Sequence, residues 1–288
     1  MIEELGYIPN ELARNMSKQK TNIIAFILPH SNHSFFSEIT YHVEQKLYPL
    51  GYKLMICNSG SNRDKELDFI NMLKKNLVDG IIFLTNNPID PLVDPNLPIV
   101  SFDRQFKGVP FVTSDNYVGG RIAAEMLLKK KPKKLVFIGN DAQALHSPIQ
   151  TTISQRRIGF LDYLNEHGFT NVSVLEYPRG DFFIPVDFIN NLVTEHADAD
   201  GVFAISDMLA GVVIQQLQRL GKKVPGDVSV IGYDGVKNYW NTSYEMTSIR
   251  QPIEDIADAL VKMIIQRIHG ETCEHIILPV SFVRGNTL

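Results

Sequence analysis

The chain has 288 residues, 44% hydrophobic and 21% charged, with a formal net charge of -4. That length supports two lobes with real cores, and a net negative body excludes polyanion binding over its whole surface, so any DNA contact must be local. Two cysteines, Cys57 and Cys273, lie far apart in sequence and frame neither a disulfide set nor a zinc site, which suits a reducing cytoplasm.

The opening stretch "ELGYIPNELARNMSKQKT" reads as a short helix and a basic connector. Asn10 is a good N-cap. Leu12, Ala13 and Met16 share a face, while Arg14 and Lys18 lie elsewhere. Glu3, Glu4 and Asn10 stand where a signal peptide would be apolar, and no apolar run approaches the roughly 18 residues of a membrane span.

From Asn22 onward, apolar strands alternate with amphipathic helices. "NIIAFILP" is a strand, and "SFFSEITYHVEQKLYPLG" has helical spacing. Strand "YKLMICNS", helix "DKELDFINMLKKN" and strands "DGIIFLT" and "LPIVSFD" follow. After "FVTSDN", helix "YVGGRIAAEMLLKK" leads to strand "KKLVFIGN", and helix "TISQRRIGFLDYLNEHG" leads to "VSVLEYP". Helix "IPVDFINNLVTEHA" then leads to "DGVFAISD", and helix "MLAGVVIQQLQRLG" leads to "DVSVIGYD". Continuous apolar strands joined by helices predict parallel sheets covered on both faces. About ten strands exceed one comfortable doubly wound domain, so two Rossmann-like sheets fit better.

Ligands of such sheets lie outside the carboxyl ends of the strands. Those positions carry His30, His33, Phe35 and Phe36; Asp103 and Arg104; Asp115 and Asn116; Asp181, Phe182 and Phe183; Ser206 and Asp207; Asp234; and Arg250 and Gln251. Carboxylates, guanidinium groups and rings suit a polyhydroxylated small molecule, whose hydroxyls they bond and whose C–H face they stack on. Each type also has a plainer use. An Asp after a strand caps the next helix, and Asp115 and Asp207 are read that way. A single Phe here is more often core than contact. His30 and His33 lack a third metal ligand, and "KKKPKK" reads as a solvated helix end. No Gly-x-Ser-x-Gly elbow, phosphate loop or zinc helix pattern appears. "GGRIAAE" lacks the glycine spacing of a dinucleotide site. Nothing names a nucleophile, cofactor or metal, and the expectation is a binding protein rather than an enzyme.

The motifs "LGYIPNELAR", "HSFFSEI", "VDGIIF", "TSDNYVGG", "RRIGF", "SDMLAG", "VPGDVSVIGYD" and "TSIRQP" together resemble the LacI/GalR family of bacterial transcription regulators across essentially the whole chain. The effector domain of that family is similar to periplasmic sugar-binding proteins. The resemblance implies an α/β fold of two lobes with three crossovers. It places the headpiece tail and hinge helix at residues 1–21, one lobe at 22–114 plus 251–279, and the other at 115–250 plus 280–288.

It also implies roles. Arg156 grips effector oxygens, Asp234 accepts from hydroxyls, and Phe182 stacks on the ligand. Asp103 and Arg104 form an Asp-Arg pair, and Gln251 makes a polar contact at a crossover. Phe35 and Phe36 stand in "HSFF", where His33 replaces the asparagine of the ribose-type pattern. Ser206 stands where many relatives have asparagine. Both departures argue against a plain ribose site. Asn10, Ala13, Arg14 and Met16 belong to a DNA-binding hinge, with Met16 in the place of the usual minor-groove leucine. The helix-turn-helix that precedes this hinge in the family is absent from the sequence as given. A homodimer is implied, with Tyr41, Leu47, Phe69 and Met72 between chains.

The function implied is a cytoplasmic, sugar-responsive repressor. Its small carbohydrate effector, pentose-like in size, closes a cleft and thereby alters operator binding. Two acids, Asp103 and Asp234, against two arginines, Arg104 and Arg156, favour a neutral sugar over a phosphorylated one. The alternative is the solute receptor of a sugar transporter, which has no use for "YIPNELARNM".

Overall fold

The computed structural model describes residues 20–85, 87–139, 151–177, 186–236 and 245–288. The hinge residues Asn10, Ala13, Arg14 and Met16, and Phe182 with its neighbours Asp181 and Phe183, lie outside the described residues.

The apolar runs become strands. These are β1 (Ile23–Leu28), β2 (Lys53–Asn58), β3 (Gly80–Phe83), β4 (Ile99–Phe102), β5 (Phe111–Ser114), β6 (Leu135–Gly139), β7 (Val172–Glu176), β8 (Gly201–Ala204), β9 (Ser229–Asp234), β10 (Ser248–Arg250), β11 (Ile276–Leu278) and β12 (Ser281–Val283). The helices are α1 (Ser34–Leu47), α2 (Arg63–Lys74), α3 (Asn116–Leu128), α4 (Thr152–Glu166), α5 (Val186–Glu195), α6 (Asp207–Arg219) and α7 (Ile253–Ile268). Two six-stranded sheets result, ordered β11-β5-β4-β3-β1-β2 and β12-β10-β9-β8-β6-β7.

Burial follows position in the sheet. The inner strands β3, β4, β6, β8 and β9 are buried along their whole length. The edge strand β2 is largely open to solvent and the edge strand β7 is mostly half-buried, and they carry the mixed sequences "KLMICN" and "VSVLE". Pairing is parallel for β1 with β2 and β3, and for β6 with β7 and β8. Helices supply the crossovers that parallel strands require.

The chain changes sheet after β5, again after β10, and finally between β11 and β12. These are the three crossovers implied by the family pattern. One strand departs from the all-parallel expectation: β12 runs antiparallel to β10. It enters its sheet directly from β11, with two residues between the strands.

Packing divides the chain into two compact units. One holds residues 20–31, Thr40–Phe111 and Ala257–His275; the other holds Asn32–Ile39, Val112–Ile256 and Ile276–Leu288. In the first, Ile27, Ile81, Phe83 and Phe106 belong to one apolar core. In the second, Phe137, Phe160 and Phe203 meet with ring centroids 5.2 to 6.0 Å apart, the tilted and edge-on spacing that aromatic quadrupoles favour. Leu47, expected between chains, is fully buried within its own chain. Phe69 and Met72 pack on their own core. The helical period that offers a face to a partner also offers one to the sheet beneath. Tyr41, by contrast, is 60% exposed.

Candidate functional site

The polar groups of the second unit are set by two helices and two strand ends. Asp115 caps α3, its carboxylate accepting from the Val118 amide at 2.9 Å. Asn116, the first residue of α3, is therefore held in place. Helices α3 and α4 touch through glycines. A Cβ on Gly120 would fall on the Arg156 carbonyl, and one on Gly159 would fall on the Tyr117 carbonyl. Only glycine permits this approach. It is the reason for the paired glycine of "TSDNYVGG" and the glycine of "RRIGF", and it sets Asn116 beside Arg156.

Arg156 is 6% exposed. Its Nε donates to Asn116 Oδ1 at 2.8 Å and its Nη1 donates to the Ile205 carbonyl at 2.6 Å. Its guanidinium carbon lies 3.6 Å from the centre of the buried Tyr233 ring, a desolvated cation–π contact. The Asp234 carboxylate is 3.8 Å from Nη1. Among the described residues Nη2 takes no partner, which leaves a directed donor at the carboxyl end of the sheet.

Asp234 ends β9 with φ of 101°, a conformation that non-glycine residues rarely hold. Gln251 fixes it twice: Nε2 donates to Asp234 Oδ1 at 2.8 Å, and the backbone amide donates to the Asp234 carbonyl at 3.0 Å. Ser114 Oγ donates to Gln251 Oε1 at 2.5 Å, and Asn116 Nδ2 donates to the Ser114 carbonyl at 2.8 Å. Ser114, Gln251, Asp234, Arg156 and Asn116 thus close a ring of polar contacts. Each member is at most 6% exposed, so a fully connected network of this kind is rigid.

The cap of α6 differs from expectation. Ser206, in extended conformation, accepts from the Leu209 amide at 3.2 Å and is the N-cap. Asp207 is the first helical residue and is buried. Ser206 has the extended backbone that a cap needs. The neighbouring carboxylate is turned to the strand ends, where it accepts from Ser248 Oγ at 2.5 Å and from the Val236 amide at 3.1 Å. His33 and Phe36 lie with ring centroids 4.9 Å apart, and Phe35 meets Phe36 edge-on at 5.7 Å. Phe35 is 2% exposed, so it packs the interior, whereas Phe36 is half-buried.

In the first unit, Asp103 follows β4 with φ of 61°. Arg104 is 5% exposed. Its Nη2 lies 2.5 Å from Asp90 and its Nη1 contacts the Asn87 carbonyl. The guanidinium also sits over the Phe106 ring at 4.4 Å. Arg104, read as an effector contact, is engaged by the turn at Asp90–Leu92 and holds it to the sheet.

A family model described as periplasmic binding protein domain matches residues 24–272. The sucrose operon repressor of Streptococcus mutans is 35% identical over 291 residues, covering 100% of this chain and 88% of that protein. The chain belongs to the LacI family. The ribose operon repressor of Bacillus subtilis is 30% identical, covering 99% of this chain and 86% of that protein. A periplasmic binding protein/LacI transcriptional regulator from Alkaliphilus metalliredigens, complexed with D-xylulofuranose, matches with a TM-score of 0.78. It is 26% identical and covers 93% of this chain and 99% of its own. Within this LacI-family frame the two-lobed α/β fold follows. No helix among the described residues is long and apolar enough to cross a membrane.

The structure brings together Arg156, Asp234 and Gln251, three residues expected at the site. Ser114, Tyr233 and Ser248 carry no expected role in the sequence, and Asn116 stands there only as a strand-end residue. The signal for Asn116 was present: a helix starting right after a strand points its first side chains at the strand ends.

Proposed function

We propose that this chain is the effector-binding part of a sugar-responsive transcriptional repressor, and that its effector is a small neutral furanose or pyranose. The observation that carries this reading is the buried Arg156–Asp234 pair. It offers a charged donor and a charged acceptor side by side, both held rigid by the polar ring. A sugar hydroxyl uses both at once, since it donates and accepts. A phosphate group would set its charge against the Asp234 carboxylate. The repressor names of the relatives, matched over nearly the full chain, support a regulator over a transport receptor or an enzyme.

In this reading His33, Phe36, Asp103, Phe182 and Ser206 add effector contacts, and Arg104 supports the fold. Residues Asn10, Ala13, Arg14 and Met16 form a DNA-contacting hinge, and the protein works in the cytoplasm as a homodimer. Sugar and operator are then coupled by about 1–3 kcal/mol. A thermal-shift screen over free sugars, sugar phosphates and purines tests the effector class, because a ligand that binds only the folded state raises the melting point. A rise with a free sugar and none with its phosphate supports the reading. A phosphate bound at least tenfold tighter than its free sugar overturns it.

A further inference from the structure

The turn that follows Asp234 is held by Asp207 and Ser248. Asp207 Oδ2 receives the Val236 amide at 3.1 Å. Ser248 Oγ lies 2.5 Å from Asp207 Oδ1 and receives the Gly235 amide at 3.1 Å. The two amides after Asp234 are thus clamped by one carboxyl group and one hydroxyl. The clamped segment is unusual, with φ of 101° at Asp234 and 64° at Gly235. Such a conformation persists only when its surroundings over-determine it. A Cβ on Gly232 would strike Asp207 Oδ1, so the glycine of "VIGYD" makes room for this carboxyl.

We propose that Asp207 is a positioning residue: with Ser248 it fixes the Asp234–Val236 turn and so aims the Asp234 carboxylate at the effector. This rests on the reading of Asp234 as an effector contact.

The chemistry of the pair sets the charge state. Asp207 and Asp234 are both buried. Among the described residues, Asp234 on β9 is the charged group acting directly on Asp207. One contact further out are Arg156 on α4, 3.8 Å from Asp234, and Arg250 on β10, whose Nε donates to the Gly235 carbonyl at 3.1 Å. Neither α5 nor β8, which also pack on α6, brings a described charged side chain to Asp207. Two buried carboxylates with one nearby guanidinium cannot both ionise cheaply. Burial first, and then Asp234, push the Asp207 carboxyl well above the usual carboxylate range. Asp207 therefore works as a neutral acid. Ser248 Oγ donates to Oδ1 while Oδ2 accepts from the Val236 amide. Asp234 remains the charged member, beside Arg156. Raising the pH ionises Asp207, sets two carboxylates against each other, and loosens the turn.

The test compares wild type with Asp207→Asn, Asp207→Ala and Ser248→Ala. Two readouts are used: amide exchange by NMR on the effector-free chain, and calorimetric titration with D-ribose and sucrose across pH. Asn reproduces the neutral acid, so Asp207→Asn should keep exchange at Gly235 and Val236 within about threefold of wild type. Asp207→Ala should speed exchange there more than tenfold, leaving the inner amides of β9 protected, and Ser248→Ala should do so at Gly235. Wild-type exchange at these two amides should rise with pH beyond its intrinsic increase, and Asp207→Asn should abolish that excess. If a sugar binds, its affinity should show the same contrast. Unchanged exchange in both Asp207→Ala and Ser248→Ala would overturn the proposal. So would the same excess pH dependence in Asp207→Asn as in wild type. If Asp207→Ala fails to fold, Ser248→Ala and Asp207→Asn still decide. If neither sugar binds wild type, the effector reading fails while the exchange data still judge the clamp.

Discussion

Arg104 and Arg156, both buried and drawn from different units, have opposite fates. Arg104 has a carboxylate at 2.5 Å, a backbone carbonyl and an aromatic ring. Its charge is met inside its own unit, and Asp90 is 42% exposed on its outer side. Arg156 is held just as firmly by Asn116, Ile205 and Tyr233, yet among the described residues its nearest carboxylate is 3.8 Å away and is shared with Gln251. We propose that the guanidinium with a close carboxylate supports the fold, whereas the one fixed by neutral groups beside a distant carboxylate keeps capacity for a ligand. On that proposal the distance to the countercharge, not burial alone, separates support from function.

The largest expected effect breaks this contrast at its stronger side. Arg156→Ala should cost about 2–4 kcal/mol of sugar affinity, since a charged donor is lost and Asp234 is left without its cation. Arg104→Met should cost far less affinity, and calorimetry on both variants checks the ratio. Equal losses would erase the distinction.

Next comes the scaffold beneath Arg156. Gly120→Ala should destabilise by about 1–3 kcal/mol, because the added methyl meets the Arg156 backbone and a helix must shift. Sugar affinity should fall with it. Denaturant melts at matched affinity would show that the two helices are less tightly coupled than their contact suggests.

Arg104→Met should lower stability by about 1–2 kcal/mol, less than a fully buried pair would, because water reaches Asp90. A stability as high as that of wild type would move Arg104 out of the structural class.

A smaller effect concerns pH. Asp207 is held protonated in the fold but ionises near pH 4 when unfolded. Its contribution is full below about pH 4 and is lost as pH rises toward the raised folded value. Melting points should therefore fall from pH 5 to pH 8 more in wild type than in Asp207→Asn. The difference in slope is at most about 1.4 kcal/mol per pH unit. Parallel curves would contradict the protonated state. The slightest effect is at Cys57, whose thiol burial pushes up to about 11. Alkylation at neutral pH should be slower there than at the half-buried Cys273.

Much of the fold was legible because inner parallel strands are apolar throughout and their helices carry a clear period. The direction of β12 was not, since a three-residue strand has no pattern of its own. At the site, Arg156 and Asp234 were legible from their motifs. The clamp at Asp207 was not: capping fits an Asp after a strand, and only the backbone of Ser206 decides which residue caps. The contact of Arg104 with Asp90 was not legible, because a motif gives a residue type and a place, whereas that partner lies fourteen residues away in sequence. Tyr233 was silent because a tyrosine in a buried strand reads as core, and it serves as core and as the face under Arg156 together.

The most direct measurement is a crystal structure of this chain with the free sugar that the thermal-shift screen selects. The account predicts sugar hydroxyl oxygens within hydrogen-bond distance of both Arg156 Nη2 and the Asp234 carboxylate, with the polar ring from Ser114 to Gln251 unchanged. A sugar seated elsewhere, with Arg156 still holding only its protein partners, would contradict it.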